Sequence, residues 1–185
     1  FYKWINHGEY PAKVKAICTT IKNNNHRLPE DLLTEKEVQE LINNARLLRD
    51  KAIISMLYES GCRIGEILTL KRKNVQFDSI GAVLIVDGKT GQRRVRLISS
   101  VPYLMQWYSS HPLPNDPEAA LFLMETVNNP LPYDAVRMML KRVAKKAGIK
   151  KKVNPHSFRH ARATFLANKL TEAQLKDYLG WTQNS

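Results

Sequence analysis

The sequence predicts a mainly α-helical domain with one small antiparallel β-sheet, an α+β fold, and three observations lead there. Apolar residues recur at helical spacing over most of 34–180. One stretch, 75–98, changes to the two-residue period of strands around a Gly-Lys-Thr-Gly turn signal. The 185 residues, set against about 150 per domain, fit a single domain.

Residues 1–30 stand apart from that domain. Phe1, Tyr2, Trp4 and Ile5 read as the last turns of a helix, with no initiator Met and no apolar signal core before them. A polar, basic linker follows, in which Asn23, Asn24, Asn25 and Pro29 favour turns. We therefore expect 1–30 to be the end of an upstream domain and its linker, and 31–185 to be the domain proper.

Thr34 with Glu37 forms a T-x-x-E capping box, and Val38, Leu41, Ile42, Ala45 and Leu48 repeat behind it at helical spacing. A second helix is expected over about 50–60, carrying Ile53, Ile54, Met56 and Leu57, with Gly61 as its left-handed terminator. A third, short one runs from Arg63 to about Leu70. The β-branched run from Ala82 to Val86 and the segment after Gly91 then form a hairpin, in which Arg94 and Arg96 alternate with Val95 and Leu97. Helical spacing returns from Ser100 (Leu104, Met105, Trp107, Tyr108) to about His111. A Pro- and Asn-rich loop follows, broken only by the apolar Leu121–Met124. The next helix starts near Pro132, buries Val136, Leu140, Val143, Ala144 and Ala147, and ends at Gly148. Pro155 opens another, through about Asn168, and a T-x-x-Q box at Thr171 opens the last, which ends at Gly180.

Composition narrows the function classes. Lys and Arg total 29 against 17 Asp and Glu, a formal net charge of +12. With 43% hydrophobic and 25% charged residues the chain can close a core. No apolar run approaches the roughly 18 residues of a membrane span. Cys18 and Cys62 are too few for a disulfide framework or a zinc site and suggest a reducing compartment. Such an excess of positive charge on a folded domain points to a polyanion, and nucleic acid fits better than lipid because no basic amphipathic helix with an aromatic face is visible.

Three places put polar groups where a helix core does not need them. In Gly-Cys-Arg-Ile-Gly-Glu, 61–66, Glu66 sits at i+3 from Arg63 and can hold its guanidinium; alone, this is also just a local ion pair. In Asn-Pro-His-Ser-Phe-Arg-His, 154–160, His156 and Arg159 project one turn apart from a helix N-terminus, which itself attracts anions. Surface histidines on a basic helix would look the same. Zinc binding by His156 and His160 has no third ligand at a known spacing. In Gly-Lys-Thr-Gly, 88–91, Lys89 at a hairpin tip can reach a site formed elsewhere and act as a general acid, or simply be a solvated turn.

Taken together, the order of Arg63, hairpin Lys89, His156-x-x-Arg159 and Leu179-Gly180-Trp181 resembles the tyrosine recombinase (phage integrase) family, from about residue 30 onward. It resembles an archaeal-type integrase more than the bacterial Xer type. The resemblance implies the recombinase catalytic-domain fold, with 1–30 as the end of the core-binding domain. It implies that Arg63 and Arg159 hold the scissile phosphate, that Lys89 protonates the departing 5′ oxygen, that His156 assists proton transfer, and that Trp181 donates its indole N–H. It further implies double-stranded DNA as partner, four subunits on DNA in the intact protein, no metal and no cofactor, and a cytoplasmic, nucleoid-associated location. Arg93, Arg94, Arg96, Lys145, Lys146 and His160 are candidates for phosphate-backbone contacts.

The family's nucleophilic tyrosine is expected about three helical turns beyond Trp181. Tyr178 and Tyr58 do not occupy that place, and Tyr178 reads as core packing. The 185 residues given are therefore expected to be inactive, and monomeric, by themselves. Two other readings remain open on the sequence: a non-catalytic DNA-binding regulator derived from an integrase, and a type IB topoisomerase. A metal-dependent nuclease finds no carboxylate cluster to support it.

Overall fold

The computed structural model describes residues 31–88, 91–125 and 128–181. The expected interdomain segment 1–30 and the hairpin tip with Lys89 lie outside the described residues, as do 182–185.

Helix α1 (Glu35–Asn44) starts on the expected box: Glu37 N–H donates to Thr34 Oγ1 at 3.2 Å and Thr34 N–H to Glu37 Oε2 at 2.8 Å. It does not run on to Leu48 as the periodicity suggested. Ala45 turns extended, and α2 (Leu48–Ser60) begins two residues earlier than expected. The reason is a buried ion pair in its first turn. Arg49 Nη2 meets Asp50 Oδ1 at 2.9 Å, which puts a carboxylate at the helix's positive end, while Arg49 Nη1 donates to Leu123 O at 2.7 Å.

Helix α2 is the centre of the molecule. Ala52, Ile53, Ile54, Met56 and Leu57 have no exposed surface, and the helix also buries the polar Ser55, Glu59 and Ser60. Packed on it are α1, α4 (Val101–Ser109), α6 (Pro155–Ala167) and strand β3 (Gly91–Leu97). Its end is fixed twice over at Gly61, where φ is 59° and an added Cβ would lie 2.9 Å from Leu179 Cδ2. Glu59 binds the chain that leaves the sheet, accepting the N–H groups of Ile98, Ser99 and Ser100 at 2.8, 2.9 and 2.7 Å.

Short helix α3 (Ile64–Leu68) leads into β1 (Val75–Phe77), β2 (Ala82–Gly88) and β3 (Gly91–Leu97), an antiparallel sheet in the order β1-β2-β3. Ala82 faces Leu97 and Leu84 faces Val95, so these pairs are buried while Arg94 and Arg96 are exposed. The expected alternation is present. Helix α5 (Tyr133–Lys146) buries Val136, Met139, Leu140 and Val143. The last helix, α7 (Glu172–Leu179), packs on α6. Among the described residues no helix is long and apolar enough to cross a membrane.

The segment around Leu121–Met124 was expected to be an apolar interruption in a loop. It is core. Leu121 and Phe122 are fully buried, Leu121 N–H donates to Leu70 O at 2.7 Å, and Trp107 Nε1 donates to Leu121 O at 2.7 Å. So short an extended run carries no periodicity, which is why spacing alone could not place it. Phe122→Ala should therefore lower stability by about 3–5 kcal/mol, read as a lower denaturant midpoint with an unchanged slope. A loss below about 1 kcal/mol would return the segment to the surface.

Candidate active site

The site is built where three arginines meet the end of the last helix. An α-helix leaves its final carbonyls without partners. At the end of α7, Gly180 is left-handed (φ 63°), and the N–H groups of Gly180 and Trp181 return to Asp177 O and Lys176 O at 3.1 and 2.9 Å, a Schellman closure. Three further carbonyls then serve the arginines. Arg93 Nε donates to Tyr178 O at 3.2 Å, Arg159 Nη2 to Leu179 O at 2.7 Å, and Arg63 Nη1 and Nη2 to Gly180 O at 3.3 and 3.4 Å. Cationic groups at this end of a helix also meet its negative dipole.

Each arginine comes from a different element. Arg63 is the N-cap of α3, and Glu66 at the third helical position accepts the Arg63 N–H on Oε2 at 2.8 Å and its Nη1 on Oε1 at 3.2 Å. Arg159 lies on α6, a helix capped by Asn154 Oδ1, which accepts Ser157 N–H at 3.0 Å. Its Nη1 donates to Gly61 O at 2.8 Å, across the turn that begins Gly-Cys-Arg. Arg93 is expected, with Arg94 and Arg96, to be a candidate for phosphate-backbone contact. Instead it shares the parity of Val95 and Leu97 and points inward, its side chain 12% exposed. Its Nη1 and Nη2 grip Glu66 Oε1 and Oε2 at 3.0 and 2.9 Å. That parity was readable in the sequence and would have separated Arg93 from its neighbours.

Electrostatically the cluster is cationic. Among the described residues, Arg63 and Arg93 bond one carboxylate and Arg159 lies near it, so three guanidiniums and Glu66 sum to a charge of +2. Burial, and then repulsion from Arg63 and Arg93, push the Arg159 pKa down to about 10 in spite of Glu66. Burial by itself would raise Glu66, but the hydrogen bonds from Arg93 and from the Arg63 N–H hold it below its ordinary 4.5. A phosphate entering beside Arg63, whose side chain is 40% exposed, would relieve this imbalance.

The remaining expected residues fall around this centre. The Arg159 guanidinium carbon lies 5.8 Å from the centre of the half-exposed Trp181 ring. His156 is exposed in the first turn of α6, its ring edge-on to that of His160 at 4.2 Å. Arg94 is exposed, and Arg96, also exposed, pairs with Asp78 Oδ2 at 2.5 Å. Lys145 and Lys146 are exposed at the last turn of α5, where Lys146 Nζ donates to Asn44 O at 3.3 Å. The Tyr178 hydroxyl donates to Glu59 O at 2.8 Å, and burial pushes its pKa up. Among the described residues no group of three or more His, Cys, Asp or Glu lies together as metal ligands.

Because Glu66 titrates lower when folded than unfolded, its stabilising contribution is present above its ordinary pKa and is lost as pH falls through the folded value. Glu66→Gln should cost about 3 kcal/mol at pH 7, and the gap to the parent protein should close below about pH 4. Unfolding free energies measured across that range check this; a gap that stays constant would mean that the carboxylate charge is not what holds the cluster.

Residues 31–185 match the sequence model of the phage integrase family. Tyrosine recombinase XerA of Pyrococcus horikoshii is 32% identical over 149 residues, covering 78% of this chain and 51% of the relative. A tyrosine recombinase of Thermosipho africanus is 34% identical over 161 residues, 84% of this chain and 54% of the relative. The chain thus spans about half the length of these curated relatives. The crystal structure of XerA recombinase superposes with a TM-score of 0.74 at 27% identity, over 89% of this chain and 58% of that one. XerH bound to its difH substrate, at 22% identity and a TM-score of 0.68 over 85% of this chain and 48% of that one, shares the fold. With the helical fold and the small antiparallel sheet also in agreement, the chain belongs to the phage integrase family, the tyrosine recombinases.

Proposed function

We propose that this chain is the catalytic domain of a site-specific DNA recombinase that cuts and rejoins double-stranded DNA through a 3′-phosphotyrosyl intermediate, without a metal ion. The observation that carries the reading is the meeting of Arg63 and Arg159 beside Trp181, with positive charge in excess of its counterions. Family membership and the relatives' names support it.

In this mechanism Arg63 and Arg159 bind the non-bridging oxygens of the scissile phosphate. They neutralise the charge that builds there as a tyrosine hydroxyl attacks phosphorus, its proton leaving with the help of His156. The phosphorus–O5′ bond breaks, and Lys89, on the hairpin between Gly88 and Gly91, gives its proton to the departing 5′ oxygen. His156 hydrogen-bonds the phosphate from the first turn of α6, and the Trp181 indole N–H donates beside it. The bond broken in DNA is replaced by a phosphotyrosyl ester, so a 5′ hydroxyl can attack in turn and reseal the strand with no energy source. Tyr178, engaged with Glu59 O, is not that nucleophile; the reading requires a tyrosine carboxy-terminal to Trp181. Arg94, Arg96, Lys145, Lys146 and His160 would meet the DNA backbone. Four subunits would act on two DNA segments, in the cytoplasm at the nucleoid.

The test is a nicked suicide substrate incubated with the complete gene product in EDTA. A covalent protein–DNA adduct is expected, and Lys89→Ala should slow its formation by about 10²–10⁴. A 5′-thiol leaving group, which needs no proton, should recover most of that loss. Adduct formation without thiol rescue would remove Lys89 from the acid role. DNA binding with no adduct would leave a DNA-binding protein in place of an enzyme.

A further inference from the structure

Arg93 has no part in the mechanism above, yet its guanidinium is the most fully engaged of the three. Its Nη1 and Nη2 form a two-pronged grip on Glu66, its Nε holds Tyr178 O, and Nη2 also lies 3.5 Å from Cys62 Sγ. With its donors turned onto the protein and its side chain 12% exposed, it has little left to offer a phosphate. Arg63 is the opposite case. It touches Glu66 with one prong at 3.2 Å, holds Gly180 O at 3.3 and 3.4 Å, and is 40% exposed. One carboxylate thus faces two arginines and is bidentate to only one of them.

We propose that Arg93 is a positioning residue for Arg63: by gripping both oxygens of Glu66, it keeps that buried carboxylate from taking Arg63 in a two-pronged bond, so that Arg63, held to Glu66 by one prong only and 40% exposed, keeps donors for the scissile phosphate. The inference rests on the recombinase reading. The physical reason is competition. Glu66 is 4% exposed in side chain and must be neutralised by a close cation. Arg63, three residues away on the same turn, is the nearest substitute if Arg93 is removed. A full Arg63–Glu66 fork would spend on the protein the donors that the substrate needs.

The fold makes room for this division at Gly88. A Cβ there would lie 2.4 Å from Glu66 Oε1 and 3.3 Å from Arg93 Nη1, so a side chain at 88 would push the Glu66 carboxylate out of this geometry. Val86 pairs with Arg93 and Gly88 with Gly91 across the hairpin. The strand pair that carries Lys89 is therefore docked on the helix that begins at Arg63, and the Arg93–Glu66 grip is the dock.

The experiment compares cleavage of the suicide substrate by the complete gene product, its Arg93→Met and Glu66→Gln variants, and the double variant. Arg93→Met should cleave about 10- to 100-fold more slowly, with DNA affinity within about twofold of the parent. Removing the carboxylate charge as well should restore most of the rate, since neutral glutamine does not capture Arg63.

A merely structural Arg93 would give additive losses in the double variant, which overturns the proposal while leaving the enzyme intact. An unchanged rate in Arg93→Met overturns it too. If Arg93→Met does not fold, Arg93→Lys keeps the charge but cannot bridge both oxygens. Its loss of about tenfold must be relieved by Glu66→Gln, or the proposal falls. No adduct from the parent protein would overturn the recombinase reading and this inference together.

Discussion

Like charges do not gather inside a protein unless something holds them. Here Arg63 and Arg93 share one carboxylate, Glu66, and together with Arg159 they hold the carbonyls of Tyr178, Leu179 and Gly180 at the end of α7. The rest of the molecule can be understood as the frame this arrangement requires. The buried helix α2 ends at Gly61, whose carbonyl takes Arg159 and whose lack of a side chain admits Leu179. The hairpin closes on Glu66 through Gly88. The Schellman closure of α7 consumes two carbonyls internally and leaves the next three facing the arginines.

Such a site stores electrostatic cost in the folded state. The depressed Arg159 pKa is a measure of it: a guanidinium is harder to keep charged here than in water, chiefly because of burial and then because of its cationic neighbours. A transferring phosphoryl group, with its charge spread over non-bridging oxygens, is the kind of ligand that removes this cost. Donors fixed before the substrate arrives need no reorganisation during the reaction, which is the general advantage of a preorganised polar site.

Much of this was legible in the residues. The capping boxes at Thr34 and Thr171, the terminators at Gly61 and Gly180, and the alternation of Arg94 and Arg96 with Val95 and Leu97 each follow from a local rule, and each is present. The pairing of Arg63 with Glu66 followed from their spacing. What could not be read was long-range. Nothing local says that the buried Arg49 reaches Leu123 O, or that Leu121 and Phe122 fill the core between α4 and α2. Arg93 is the instructive case: its parity was visible, but only the fold shows that an inward-facing arginine meets Glu66, 27 residues away.

The central claim is that these arginines serve to neutralise phosphate charge. The most direct measurement compares the complete gene product with its Arg159→Ala variant on two suicide substrates, one with an ordinary scissile phosphate and one with an uncharged methylphosphonate in its place. The account predicts a loss of about 10²–10³ on the phosphate that shrinks below about tenfold on the methylphosphonate, where there is less charge to neutralise. An equal loss on both substrates would contradict it, and would make Arg159 a support of the fold and not of the chemistry.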